Sequence, residues 1–144
     1  MADGLSHITF VTKNLDRMEE ILTTVLKARK VYDRGEQQFS LSKERFFLVG
    51  EGSAQVWIAI MEGSTVTARS YNHVAFKIRD DEVAERLSAI EALGLDLRDG
   101  RTRVEGEGHS IYFYDDDNHM FELHTGTLEE RLRRYAEGKD VTVA

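Results

Sequence analysis

Two stretches decide the fold: Gly4-Leu5-Ser6-His7-Ile8-Thr9-Phe10-Val11, and Ser70-Tyr71-Asn72-His73-Val74-Ala75-Phe76-Lys77-Ile78. Each reads as a strand through its alternating and β-branched residues, and each carries a histidine near its start. The histidine recurs after 66 residues, and a helix succeeds the strand in both places. After the first strand, Asn14 offers an N-cap, and Leu15, Met18, Leu22, Val25 and Leu26 fall on one helical face. After the second, a helix opens at Asp80 or Asp81 and carries Val83, Leu87, Ile90 and Leu93. It stops at Gly94, a natural C′ residue.

Short strands broken by turn residues come next. In the first half they are Arg29–Asp33, Gln37–Leu41, Arg45–Val49 and Gln55–Met61. In the second they are Leu95–Arg98, Ser110–Tyr114 and Met120–His124. The pattern predicts an α+β chain of two paired βαβββ modules, residues 1–66 and 67–126, forming a curved mixed sheet. A last helix spans 127–136. It opens on the capping box Thr127-Leu128-Glu129-Glu130 and is expected to turn Leu128, Leu132 and Tyr135 inward.

Composition narrows the function. At 144 residues, with 41% hydrophobic and 31% charged residues, the chain fits one folded domain and not a disordered tail. The balance of 19 Lys and Arg against 26 Asp and Glu, net −7, argues against a nucleic-acid partner. No apolar run approaches the roughly 20 residues of a membrane span, and residues 1–7 lack a secretory pattern, so a cytoplasmic protein is expected. With no cysteine there is no disulfide, thiolate metal site or thiol nucleophile.

Chemistry must therefore come from histidine and carboxylate. A strand histidine is commonly a hydrogen-bonded structural residue, but His7 and His73 occupy the same place in each repeat. A carboxylate would complete a two-histidine, one-carboxylate face on a divalent metal, leaving positions open for substrate. Glu122 suits that role, since alternation puts Met120, Glu122 and His124 on one strand face and a charge in so apolar a strand needs a partner. Spacing alone leaves the structural and metal readings both open. The run Asp115-Asp116-Asp117-Asn118 lacks the glycine and distal glutamate of a calcium loop and reads as a tight turn. His119 and His124 have no repeat partner and read as structural.

The paired modules, with candidate ligands on matching strands, resemble the vicinal oxygen chelate (glyoxalase/bleomycin resistance) superfamily. Within it, His7-Ile8-Thr9, Tyr71-Asn72-His73-Val74-Ala75-Phe76, Glu105-Gly106-Glu107-Gly108-His109-Ser110-Ile111-Tyr112-Phe113-Tyr114 and Asn118-His119-Met120-Phe121-Glu122-Leu123-His124 resemble fosfomycin resistance proteins. The segments Phe39–Phe47 and Arg103–Gly108 are similar to the epoxide-hydrolase branch.

That resemblance implies fosfomycin, an epoxide carrying a phosphonate, as substrate, with Mn²⁺ or another divalent metal held by His7, His73 and Glu122. Glu44 matches the general base that takes a proton from the attacking water, and its neighbours Phe46 and Phe47 would desolvate it. Read without the resemblance, Lys43, Glu44 and Arg45 make a polar turn. Arg131 matches a phosphonate-binding arginine, suited to bidentate contact, and Ser110 and Tyr112 match hydrogen-bonding positions. Thr9 matches a threonine near the reacting oxygen, Trp57 and Tyr71 would line the apolar side, and Arg103 would close over the substrate. The resemblance further implies a homodimer whose sites are shared, His7 coming from one subunit and His73 with Glu122 from the other. The alternatives are a metal-dependent thiol transferase on the same fold and a metal-free drug-sequestering protein.

Overall fold

The computed structural model describes residues 1–33, 35, 42–64, 67–98 and 108–138. The expected strand Gln37–Leu41, the motif residues 39–41 and the candidate Arg103 lie outside them. The chain divides into two units, Met1–Ala68 with Asp115–Asn118, and Arg69–Tyr114 with His119–Ala144.

In the first unit, β1 (His7–Thr12), α1 (Leu15–Val25), β2 (Arg29–Asp33), β3 (Glu44–Val49) and β4 (Val56–Glu62) come in order. The sheet is ordered β1-β4-β3-β2, with β1 parallel to β4 and the other pairs antiparallel. A parallel pair requires a crossover, and α1 with the two strands after it makes that connection. Asn14 caps α1 as its spacing predicts, its Oδ1 accepting from the Arg17 N–H at 3.0 Å. Met18, Ile21, Leu22 and Val25 are then buried, and α1 packs against β4. Removing each such side chain from water stabilises the unit by about 1.5–3 kcal/mol.

Alternation gives this sheet two distinct faces. Phe10, Phe47, Ile58 and Ile60 are buried on one. The register rows His7↔Trp57↔Leu48, Thr9↔Ala59↔Phe46 and Val11↔Met61↔Glu44 lie on the other, and His7, Thr9 and Val11 are exposed. The turn Asp115–Asn118 belongs to this unit through Asp117. Its carboxylate accepts from the Thr12 hydroxyl at 2.6 Å and from the Lys13 N–H at 3.0 Å. Asp115 accepts from the Asp117 N–H, so the acidic run is a hydrogen-bonded turn as its composition suggests.

The second unit repeats the plan: β5 (His73–Lys77), α2 (Val83–Ala92), β6 (Asp96–Arg98), β7 (Ser110–Tyr114) and β8 (Met120–His124), ordered β5-β8-β7-β6. A 3-10 turn, Asp80–Glu82, leads into α2, and Gly94 beyond its C-cap adopts φ 66°, the left-handed conformation that ends the helix. Phe76, Ile111, Phe113, Phe121 and Leu123 form the core face, with Phe113 stacked on Phe121 at 5.3 Å between ring centroids. The opposite face carries His73, Glu122, His124, Ser110 and Tyr112.

The last helix, α3 (Leu128–Glu137), begins at the expected N-cap, Thr127 accepting from the Glu130 N–H at 3.1 Å. Its apolar stripe does not turn inward. Leu128, Leu132 and Tyr135 are 71%, 55% and 49% exposed, because no α3 residue is buried against its own chain. Helical spacing groups such residues on a stripe but does not supply the surface that covers it.

Candidate metal centre

The parallel β5–β8 pair and the antiparallel β8–β7 pair place Ala75, Glu122 and Tyr112 side by side in one register row. His73 lies one row away on one side, opposite Met120, and Ser110 lies opposite His124 one row away on the other side. All these side chains share one face because residues paired across a sheet point the same way. His73 Nδ1 is 2.6 Å from the Tyr71 carbonyl oxygen. A carbonyl only accepts, so Nδ1 carries a proton and donates, which aims the ring and turns Nε2 toward Glu122. Nε2 lies 3.0 Å from Glu122 Oε1.

That separation bears on what the pair can hold. Two cis ligands each about 2.1 Å from an octahedral ion stand about 3.0 Å apart. Imidazole nitrogen and carboxylate oxygen are fitting donors for Mn²⁺ and similar ions. Glu122 is only 7% exposed, and a carboxylate so far from water needs a positive partner. The donor set thus fits a divalent cation, with two protein ligands from the second unit.

Hydrogen-bonding groups surround the pair. Tyr112 is buried, and its hydroxyl is 3.2 Å from that of Tyr71. Burial first, then the bond with Tyr71 and the negative charge of Glu122, push the Tyr112 phenol well above its usual range, so it stays a neutral donor. Tyr71, though 67% exposed, packs edge-on against His73, with ring centroids 4.8 Å apart. Ser110 Oγ is 2.9 Å from His124 Nδ1, which is itself 3.4 Å from Glu122 Oε2. The sequence leaves His124 a structural residue; alternation puts it on the face of Glu122, but only the strand pairing shows that it meets Ser110. Gly108 precedes this strand at φ 85°, and a Cβ there would collide with the Gly126 backbone, so the approach to β7 requires glycine.

In the first unit, His7 is exposed at the start of β1, its ring 4.3 Å from that of Trp57 and its Nδ1 3.0 Å from Ser6 Oγ. The Trp57 indole N–H is buried and has no acceptor among the described residues. Thr9 shares this face one row along, and Glu44 shares it a further row on, at the opposite end of β1 from His7. Of the two aromatic neighbours expected to desolvate Glu44, only Phe46 is on its face. Phe47 is fully buried on the other, because adjacent strand residues point oppositely. The neighbouring Arg45 is engaged by Asp16 and Glu19, both at 2.9 Å, on the α1 side. Arg131 lies in the first turns of α3, its backbone N–H bonded to the Thr127 carbonyl.

Comparisons with known proteins agree with this architecture. Residues 4–123 match the model of the Glyoxalase/Bleomycin resistance protein/Dioxygenase superfamily. The chain is 57% identical over 138 residues to the fosfomycin resistance protein FosX of Mesorhizobium japonicum, covering 96% of each protein. It is 53% identical to the protein of that name from Listeria monocytogenes, covering 95% of this chain and all of the relative. A crystal structure of a substituted Listeria monocytogenes FosX, complexed with Mn(II) and 1S,2S-dihydroxypropylphosphonic acid, superposes with a TM-score of 0.83 at 51% identity. That match covers 93% of this chain and all of the other. With its repeated βαβββ plan and a model match over most of its length, this chain belongs to the Glyoxalase/Bleomycin resistance protein/Dioxygenase superfamily.

Proposed function

We propose that this protein opens the epoxide of fosfomycin with water to give the vicinal diol, a Mn²⁺-dependent hydrolase reaction that confers resistance. The observation that carries the reading is the 3.0 Å convergence of His73 Nε2 and Glu122 Oε1. Its direction is set by the Tyr71 carbonyl, and neutral donors lie beside it. The dihydroxypropylphosphonic acid held with Mn(II) by a relative 51% identical is a diol of the kind that water addition would make.

His73 and Glu122 would hold the metal together with His7, and both modules with the C-terminal helix act as one catalytic domain. Bound there, Mn²⁺ supplies Lewis acidity where negative charge develops on the epoxide oxygen. Glu44 accepts a proton from the attacking water as the new C–O bond forms and the ring C–O bond breaks; the opened oxygen takes up a proton from solvent, to which Glu44 then releases its own. Ser110, Tyr112 and Arg131 bind the phosphonate, whose charge strengthens every hydrogen bond it accepts. Thr9 would lie near the reacting oxygen, and Trp57 and Tyr71 would line the apolar side.

The second unit supplies two of the three ligands. Following the family resemblance, we take the working form as a homodimer in which His7 of one subunit joins His73 and Glu122 of the other. Among the described residues no helix is long and apolar enough to cross a membrane. We place the enzyme in the cytoplasm.

Phosphorus NMR of fosfomycin incubated with Mn²⁺-loaded protein, with and without glutathione, tests the reading. Diol without thiol supports it. An adduct that forms only with thiol makes the protein a transferase, and binding without turnover makes it a sequestering protein.

A further inference from the structure

We propose that His124 is a positioning residue that fixes the direction of the Ser110 hydroxyl, making Ser110 a hydrogen-bond donor to the phosphonate. The inference rests on the phosphonate reading above, but its argument comes from two distances. His124 Nδ1 is 2.9 Å from Ser110 Oγ and 3.4 Å from Glu122 Oε2.

A hydroxyl facing an imidazole nitrogen has two options. If Ser110 donates, Nδ1 must be bare, and its lone pair then faces a carboxylate oxygen 3.4 Å away. If Nδ1 carries the proton, that proton lies between two acceptors and both contacts become favourable. The second arrangement holds for neutral and charged imidazole alike, since both can carry a proton on Nδ1.

The consequence falls on Ser110, which is only 7% exposed. Its oxygen has accepted a bond, so its own proton must be spent elsewhere. Within the chain, Tyr112 is the next residue on the same face of this strand. An anionic phosphonate oxygen is the stronger acceptor. Were His124 to present a bare Nδ1, the serine proton would be committed inward and a lone pair would face the anion. The imidazole thus decides whether this position attracts a phosphonate or repels it.

The first measurement needs no variant. Long-range proton–nitrogen spectra of ¹⁵N-histidine protein, loaded with diamagnetic Mg²⁺, should show His124 protonated on Nδ1. The second is calorimetric titration of Mn²⁺-loaded protein with methylphosphonate. Asparagine can place an N–H near the position of Nδ1–H, whereas glutamine reaches toward Nε2. His124→Gln should therefore weaken methylphosphonate by about tenfold to a hundredfold, the range of one hydrogen bond to a charged group. His124→Asn should restore affinity to within about threefold. Ser110→Ala should lose as much as His124→Gln, and the double variant should lose no more than either.

A bare Nδ1 in the wild type overturns the inference, as does unchanged affinity in His124→Gln or a further loss when both substitutions are combined. If wild-type protein binds methylphosphonate and these tests fail, the inference falls alone. If wild-type protein does not bind methylphosphonate, the phosphonate reading falls and takes the inference with it.

Discussion

Replacing Glu122 by glutamine tests the metal centre most directly, because the side chain keeps its shape while losing its charge. Glu122 is buried in the middle of β8, between Ala75 on one neighbouring strand and Tyr112 on the other. An isosteric amide therefore disturbs the packing little. What it removes is the anionic oxygen 3.0 Å from His73 Nε2. Loss of a residue that merely supports a ligand costs about 10–100-fold in metal affinity, so loss of a ligand should cost at least the upper end, about 100-fold. At a Mn²⁺ concentration 100 times the wild-type Kd, binding stabilises the folded protein by about 2.7 kcal/mol. The variant at the same concentration, then near its own Kd, gains about 0.4 kcal/mol. For a chain of this size, at about 3 °C per kcal/mol, Mn²⁺ should raise the wild-type Tm by about 8 °C and the variant's by about 1 °C. Thermal unfolding with and without Mn²⁺ reads this difference, and manganese electron paramagnetic resonance gives the affinity itself. If Glu122→Gln keeps Mn²⁺ affinity within about threefold of wild type, the carboxylate is a structural partner of His73 and the proposed centre is wrong.

Other predictions address different links between structure and function. Glu44→Gln should lower diol formation about 10²–10⁴-fold, as expected for loss of a general base, while Mn²⁺ affinity stays unchanged because Glu44 lies two register rows from His7; unaffected turnover, monitored by phosphorus NMR, would leave Glu44 a non-catalytic polar residue at the start of β3, the strand that replaces the expected polar turn. Phe113→Ala should destabilise the protein by about 3–5 kcal/mol in denaturant unfolding, since this fully buried ring stacks on Phe121. Stability should fall at acid pH through Asp33 and Glu82. The Gly35 N–H holds the Asp33 carboxyl below its usual 3.8, and the Arg79 N–H holds that of Glu82 below 4.5. Below those ordinary values the unfolded chain takes up protons first, so both contributions are complete above about pH 4.5 and are lost as pH drops through the depressed folded values. Asp33→Asn with Glu82→Gln should flatten this limb of a pH series of unfolding curves, and an unchanged limb would assign the acid sensitivity to other carboxylates.

Much of this protein can be read from local sequence, because local patterns act through local physics. Asn14 and Thr127 cap helices where their spacing places them, since a cap bonds N–H groups only three residues away. Ser110–Tyr114 and Met120–His124 are strands with the boundaries that alternation predicts. The same period of two puts Glu122 and His124 on one face. It also separates Phe46 from Phe47, so the expectation that both rings flank Glu44 fails on strand geometry alone. The repeat of His7 in His73 marks two modules without reference to any contact.

Tertiary structure decided what depends on partners distant in sequence. No local pattern relates Tyr71 and His73 to Glu122, yet the parallel pairing of β5 with β8 brings Nε2 and Oε1 to 3.0 Å. Nor does spacing foretell that His124 meets Ser110; that contact exists because β7 runs antiparallel to β8 in one particular register. The stripe Leu128, Leu132 and Tyr135 shows the same limit from the other side. A sequence records which residues share a face through the fixed geometry of helix and strand. Whether that face is covered, and which atoms converge upon it, is settled only when distant segments pair.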